Sequence, residues 1–95
     1  MLSGKQKRYL RSLAVNERAI CQIGKEGLDD NLFKAVRENL KARELVKIAV
    51  LKSCELDMNE ISIELCANTK AELVQKIGRT LVLYKQSKDR LILLP

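Results

Sequence analysis

Residues 24–27 read Gly-Lys-Glu-Gly, a composition and spacing suited to a turn over which a phosphate chain can lie. Without a Cβ at Gly24 and Gly27, the main chain can pass close to a ligand and adopt positive φ. A helix beginning just beyond the turn would present unpaired backbone N–H groups that receive a phosphate. Lys25 adds a mobile positive charge at the tip. Modules that carry a GxxG loop clamp single-stranded RNA backbones in this way. Glycines at this spacing also occur in ordinary strand-to-helix turns, and Glu26, Asp29 and Asp30 bring carboxylates to the same place. The turn alone therefore assigns no function. One Asp acting as the helix cap would account for part of that negative charge.

A second group runs Ile77-Gly78-Arg79-Thr80-Leu81-Val82-Leu83-Tyr84-Lys85. Gly78 permits a sharp entry into a strand. Arg79 and Lys85 can donate charge-assisted hydrogen bonds to phosphate, and Arg79 can do so in bidentate fashion. Tyr84 either stacks on a base or packs on the sheet or tail. Lys88 and Arg90 follow in a polar stretch, and Lys5, Lys7, Arg8 and Arg11 crowd the N-terminus. Each cation taken singly also reads as a solvated surface charge, so the hypothesis concerns the set. In it, Lys5, Lys7, Arg8 and Arg11 contact phosphates and the loop of Gly24, Lys25, Glu26 and Gly27 fixes the register. Arg79, Lys85, Lys88 and Arg90 extend the surface.

The distribution of charge supports an acidic partner. Residues 1–43 hold ten Lys or Arg against five Asp or Glu, a local +5; residues 44–69 hold two against five, or −3; residues 70–95 hold six against two, or +4. Clustered positive charge steers polyanions. Catalysis is not expected. The chain has no His, Asp29 and Asp30 diverge at a helix start, and Cys21 has no evident partner base. Cys21, Cys54 and Cys66 lack the spacing and number of a zinc site, so no metal or other cofactor is expected. The odd thiol count points to a reducing compartment. With no stretch near the length that crosses a bilayer and no signal-peptide core, the expectation is a cytoplasmic protein without membrane contact.

The elements that must position these groups follow from periodicity. The 95 residues suit one domain spanning 1–95. Ser3 and Gln6 form a capping-box pattern before an apolar stripe of Tyr9, Leu10, Leu13 and Ala14, and Asn16, tolerant of left-handed angles, should end that helix. Residues 19–23 alternate as a strand, with Ala19, Cys21 and Ile23 on one side. Asp29 or Asp30 caps a helix whose inner face is Leu32, Phe33, Val36 and Leu40, with Leu28 as a staple against Phe33. Residues 44–51 form the clearest strand, with Val46, Ile48 and Val50 on one face. Lys47 implies that the other face, with Leu45, Ala49 and Leu51, is partly open to water. Asp57, with Glu60 as reciprocal cap, starts a helix that stops near Asn68. Strands over 73–77 and 80–85 are joined by Gly78-Arg79 as a hairpin, and residues 91–94 are placed at a sheet edge. The order is helix, then β-α-β-α-β-β. It predicts an α/β two-layer sandwich with helices on one side of a four-stranded mixed sheet, and the residues leave the strand order open.

Taken together, the opening Leu2-Ser3-Gly4-Lys5-Gln6-Lys7-Arg8-Tyr9-Leu10, then Ile23-Gly24-Lys25-Glu26-Gly27-Leu28, Glu44-Leu45-Val46-Lys47-Ile48 and the 77–85 hairpin closely resemble stand-alone bacterial CRM-domain proteins of the YhbY-like family. The resemblance covers nearly the whole chain. It implies a fold similar to the C-terminal domain of bacterial translation initiation factor three, with a KH-like GxxG loop at Gly24–Gly27. It also implies a non-catalytic assembly factor that binds ribosomal RNA in precursors of the large ribosomal subunit, acting as a monomer. Two positions depart from the family pattern. Lys70 stands where a Gly is common after the third helix; if positive φ is needed there, Asn68 is the better supplier. Glu26 makes the loop tip less attractive to phosphate. The alternative is a protein-interaction module that joins the ribosome through a ribosomal protein, using the mixed face of Leu45, Ala49 and Leu51.

Overall fold

A computed structural model describes residues 1–95. Its elements are α1 (Gly4–Ala14), β1 (Ala19–Ile23), α2 (Asp30–Arg43), β2 (Leu45–Val50), α3 (Met58–Thr69), β3 (Glu72–Ile77) and β4 (Thr80–Tyr84). The strands form one mixed sheet in the order β1-β2-β4-β3, with β1 parallel to β2 and the other two pairings antiparallel. This is the expected succession of elements and the expected four-stranded sheet, and it now includes the strand order.

Both faces of the sheet are covered, which corrects the expectation of two layers. On one face Ile23, Val46, Ile48, Val50, Leu81 and Leu83 pack with Phe33, Val36 and Leu40 of α2 and Ile61 and Leu65 of α3. On the other, Leu45, Val74, Val82 and Tyr84 are covered by Leu10 and Ala14 of α1 and by the tail residues Ile92 and Leu94. The reason lies in β4. Leu81, Val82, Leu83 and Tyr84 are apolar in succession and all buried, and a strand apolar on both faces needs cover on both. Leu45 is thereby only 6% exposed, so that residue is lost to the face invoked for a ribosomal-protein partner, while Ala49 is half-buried and Leu51 stays exposed. Residues 91–94 form no edge strand; they belong to this second layer. Ala19 is also displaced from its expected side, because a register shift between Ala19 and Cys21 leaves it exposed while Cys21 and Ile23 enter the core.

The caps explain where the helices begin and end. Ser3 and Gln6 form the reciprocal capping box of α1. Asp29 is the cap of α2, accepting from Leu32 N–H at 2.8 Å, and Leu28 packs against the cluster that holds Phe33. Asp57 caps α3 through the N–H groups of Asn59 and Glu60, and the Glu60 side chain makes no return bond to Asp57. Neither Asn16 nor Asn68 takes positive φ. Leaving the end of α1, the chain bonds Asn16 N–H to the Leu13 carbonyl, and Lys47 on β2 reaches the carbonyls of Ala14 and Glu17 at 3.4 and 3.5 Å. A cation at a helix C-terminus complements its partial negative charge. At the end of α3 it is Lys70 that turns left-handed, at φ 58°. Asn68 is still helical, with its amide bonded to the Glu64 carbonyl.

Candidate nucleic-acid interface

Strand directions sort the predicted site residues onto two ends of the molecule. β1 ends at Ile23, so the Gly24–Gly27 turn leaves the sheet beside the exit of β2 and the Gly78-Arg79 hairpin. Leu51 N–H donates to Ile23 O at 2.8 Å, and Val50 N–H to Arg79 O at 2.7 Å. Lys85, Lys88 and Arg90 follow the far end of β4, where Tyr84 pairs with Leu45 and Glu72. Five residues of β4 at about 3.3 Å each put roughly 17 Å between these ends. The twelve residues therefore do not form one patch.

At the first end the loop is a closed turn, with Gly27 N–H donating to Gly24 O at 3.0 Å. Its two glycines have separate duties. Gly27 sits at φ +69°, and a Cβ there would lie 3.1 Å from Leu56 Cδ1. Gly24 has no such backbone, and its Cβ would meet Leu51 and Ser53 at ordinary contact distances of 3.5 and 3.7 Å. The main-chain N–H groups of Lys25 and Glu26 have no acceptor within the protein, and both side chains are exposed. Asp29 is spent on the helix cap. Glu26 and Asp30 remain as exposed carboxylates beside the turn.

Arg79 occupies the same end with most of its donors committed. Its Nε donates to Val50 O at 3.0 Å, and its Nη2 to Leu51 O at 2.8 Å and Cys54 O at 3.2 Å. It clamps the exit of β2, leaving only Nη1 for a ligand. Sequence reasoning assigned it to phosphate because nothing in the local pattern shows three carbonyls converging from another segment.

The α1 cations lie on the back of the sheet. The helix starts near β3, where Leu2 N–H donates to Glu72 Oε2 at 2.9 Å, and ends near β2, where Lys47 meets the Ala14 carbonyl. The flank with Gln6 and Leu13 faces the tail: Gln6 Nε2 donates to Pro95 O, and Leu13 shares a pocket with Ile92. Lys7 and Arg11, half-buried on the opposite flank, therefore border the half of the sheet nearer the Gly24–Gly27 turn. Lys5 and Arg8 are exposed on the outward side. Between that flank and the turn lies a strip of the sheet carrying Gln22, Ala49, Gln75 and Thr80, none of them buried. The polar residues breaking the strand pattern were its only signal in the sequence.

The second end is organised by Glu44, which sequence reading took for the first residue of a strand. Its side chain is fully buried and accepts from Ser87 N–H at 2.7 Å, Ser87 Oγ at 2.6 Å and Ile92 N–H at 2.7 Å. Burial alone would raise its pKa. The Ser87 hydroxyl and the N–H groups of Ser87, Ile92 and Leu91 outweigh that and hold it below the ordinary value. Tyr84 is 4% exposed, which settles that it packs on the sheet and tail. Burial, then the Glu44 charge, pushes its phenol pKa up. Burial likewise raises the thiols of Cys21 and Cys66, so neither is an activated nucleophile. No helix is long and apolar enough to cross a membrane, and no group of three or more His, Cys, Asp or Glu is arranged to hold a metal.

The family model for the CRS1 / YhbY (CRM) domain matches residues 2–85. A Bacillus subtilis protein named "Probable RNA-binding protein YqeI" is 51% identical over 89 residues, covering 94% of this chain and 93% of that one. An "RNA-binding protein" of Haemophilus influenzae is 34% identical over 94 residues, covering 99% and 95%. The solution structure of the hypothetical protein SAV1595 from Staphylococcus aureus is 48% identical, covers all of both chains and superposes with a TM-score of 0.83.

Proposed function

The chain belongs to the CRS1 / YhbY (CRM) domain family, and from that premise we propose that it binds RNA as a non-catalytic factor in ribosome assembly. Its RNA is the ribosomal RNA of large-subunit precursors, and it acts in the cytoplasm as a monomer. The observation that carries this reading is the Gly24–Gly27 turn, with free N–H groups at Lys25 and Glu26 and an exposed lysine. The cationic flank of α1 borders the same half of the sheet. Phosphates sit on the turn and on Lys25, and the strand continues over the strip of Gln22, Ala49 and Thr80 to Lys7 and Arg11. Lys5 and Arg8 extend the contact outward. A turn between β1 and α2 in a β-α-β-α-β-β chain also supports kinship with the GxxG loop of KH domains and with the C-terminal domain of translation initiation factor three.

Such a surface captures RNA largely through its backbone, since Tyr84 is buried and few aromatics remain for stacking. About five phosphate contacts give a log-log salt slope of roughly 3 to 4 on single-stranded RNA. Binding of large-subunit ribosomal RNA fragments should be measured across a salt series for wild type and for Lys7→Ala combined with Lys25→Ala. The variant is expected to bind more weakly, with the slope reduced by about 1 to 2. Unchanged affinity and slope would remove these residues from the surface. Failure of the wild type to co-sediment with large-subunit precursors in low salt would refute the ribosomal assignment.

A further inference from the structure

At the end of the sheet away from the Gly24–Gly27 turn, the two ends of the chain and the start of β3 enclose a groove of about 520 Å³. Its lining combines the cations Lys70, Lys85 and Arg90 with apolar groups that include Leu2, Tyr84 and Ile92. The one lining carboxylate, Glu72, is already engaged by Leu2 N–H and the Met1 ammonium. None of the three cations is paired with a carboxylate. Tyr84 adds an independent observation. It lines this groove, and its hydroxyl is buried with no hydrogen-bond partner. Native proteins rarely leave a buried polar group so, and each such group calls for a partner.

We propose that this groove is a second RNA-contact site, holding one nucleotide unit with its phosphate among Lys70, Lys85 and Arg90 and its base against Leu2 and Ile92. The inference rests on the RNA-binding reading above. A base or ribose has both a flat apolar body and polar edges, which matches a lining of mixed character. The Tyr84 hydroxyl donates to one of those edges. Lys5 and Arg8, on the outward side of α1, lie on the path from the groove to the turn. One RNA can thus engage both ends of the protein.

The test is an amide chemical-shift titration of the isotope-labelled full chain with AMP, and with inorganic phosphate at the same concentrations. AMP is expected to shift the amides of Lys70, Lys85 and residues 90–94 more than phosphate does. Lys85→Ala combined with Arg90→Ala should weaken AMP binding about tenfold or more, while Lys25→Ala leaves it unchanged. Tyr84→Phe should weaken it about fivefold with the thermal midpoint unchanged or raised, an outcome that a purely structural hydroxyl does not give. The proposal is overturned by silence of these amides, by equal shifts with inorganic phosphate, or by full retention in the double variant. AMP binding in the groove of a protein that ignores ribosomal RNA fragments would uphold the nucleotide site and sink only the ribosomal assignment.

Discussion

A Cβ on Gly27 would crowd Leu56 on a left-handed backbone, whereas one on Gly24 meets only ordinary contacts. Gly27→Ala is therefore expected to lower the unfolding free energy by about 1–2 kcal/mol. Gly24→Ala should leave it within about 0.5 kcal/mol, yet weaken RNA binding if the sugar-phosphate chain approaches that carbon. Urea denaturation and a binding isotherm on the two variants separate folding from contact; unimpaired binding by Gly24→Ala would move the RNA off the turn. Glu44 also stands at positive φ, 66°, and its carboxylate is held ionised by donors from the tail. Because its folded pKa lies below its ordinary value of 4.5, its contribution to stability is fully present above that value. It is lost as pH falls through the folded pKa. Glu44→Gln, which turns an amide donor toward N–H donors, should cost about 1–3 kcal/mol at neutral pH. The gap to wild type should narrow in acid. A gap of equal size at pH 7 and at pH 3 would show that the charge is not what the tail recognises.

Among the elements, the exit of β2 depends on a side chain from the far hairpin. With Arg79 removed, the carbonyls of Val50, Leu51 and Cys54 lose their shared donor. Arg79→Ala is expected to destabilise by about 1–3 kcal/mol, whereas Lys25→Ala changes stability by less than about 0.5 kcal/mol. Denaturation midpoints check this, and an Arg79→Ala chain as stable as wild type would return the residue to the ligand surface. The helix ends show how much of an element is local. The Ser3–Gln6 box and the Asp29 cap were legible because their partners lie within a few residues. The left-handed close of α3 at Lys70 was not: a lysine carries no signal for it, and the family's usual glycine would suit it better.

Across the whole molecule, with extents of 37 × 24 × 22 Å, the tail acts as part of the core. Ending the chain at Lys85 strips Ile92 and Leu94 from Val82 and Tyr84 and leaves the Glu44 carboxylate without its donors. A loss of about 3–5 kcal/mol is expected, from the apolar contacts of Ile92 and Leu94 together with the hydrogen bonds to the carboxylate. In that shortened chain Glu44→Gln should cost less than about 0.5 kcal/mol, because the donors that recognise the charge are gone. Denaturation of the four combinations measures the coupling; additive effects would show that tail and carboxylate act separately.

Periodicity and spacing by themselves determined the element order, the mixed four-stranded sheet and the turn between β1 and α2, because each is written in residues close together along the chain; the family came from the resemblance of four separated segments. The same reading grouped Lys85, Lys88 and Arg90 with the Gly24–Gly27 turn and released Arg79 to a ligand. Only tertiary structure could divide that set. Strand direction decides which end of a sheet a loop occupies, and it depends on pairings between residues tens of positions apart. The second covering layer, the burial of Tyr84 and the role of Glu44 are of the same kind. Each requires the tail to return across the sheet, and no local pattern records where a distant segment comes to rest.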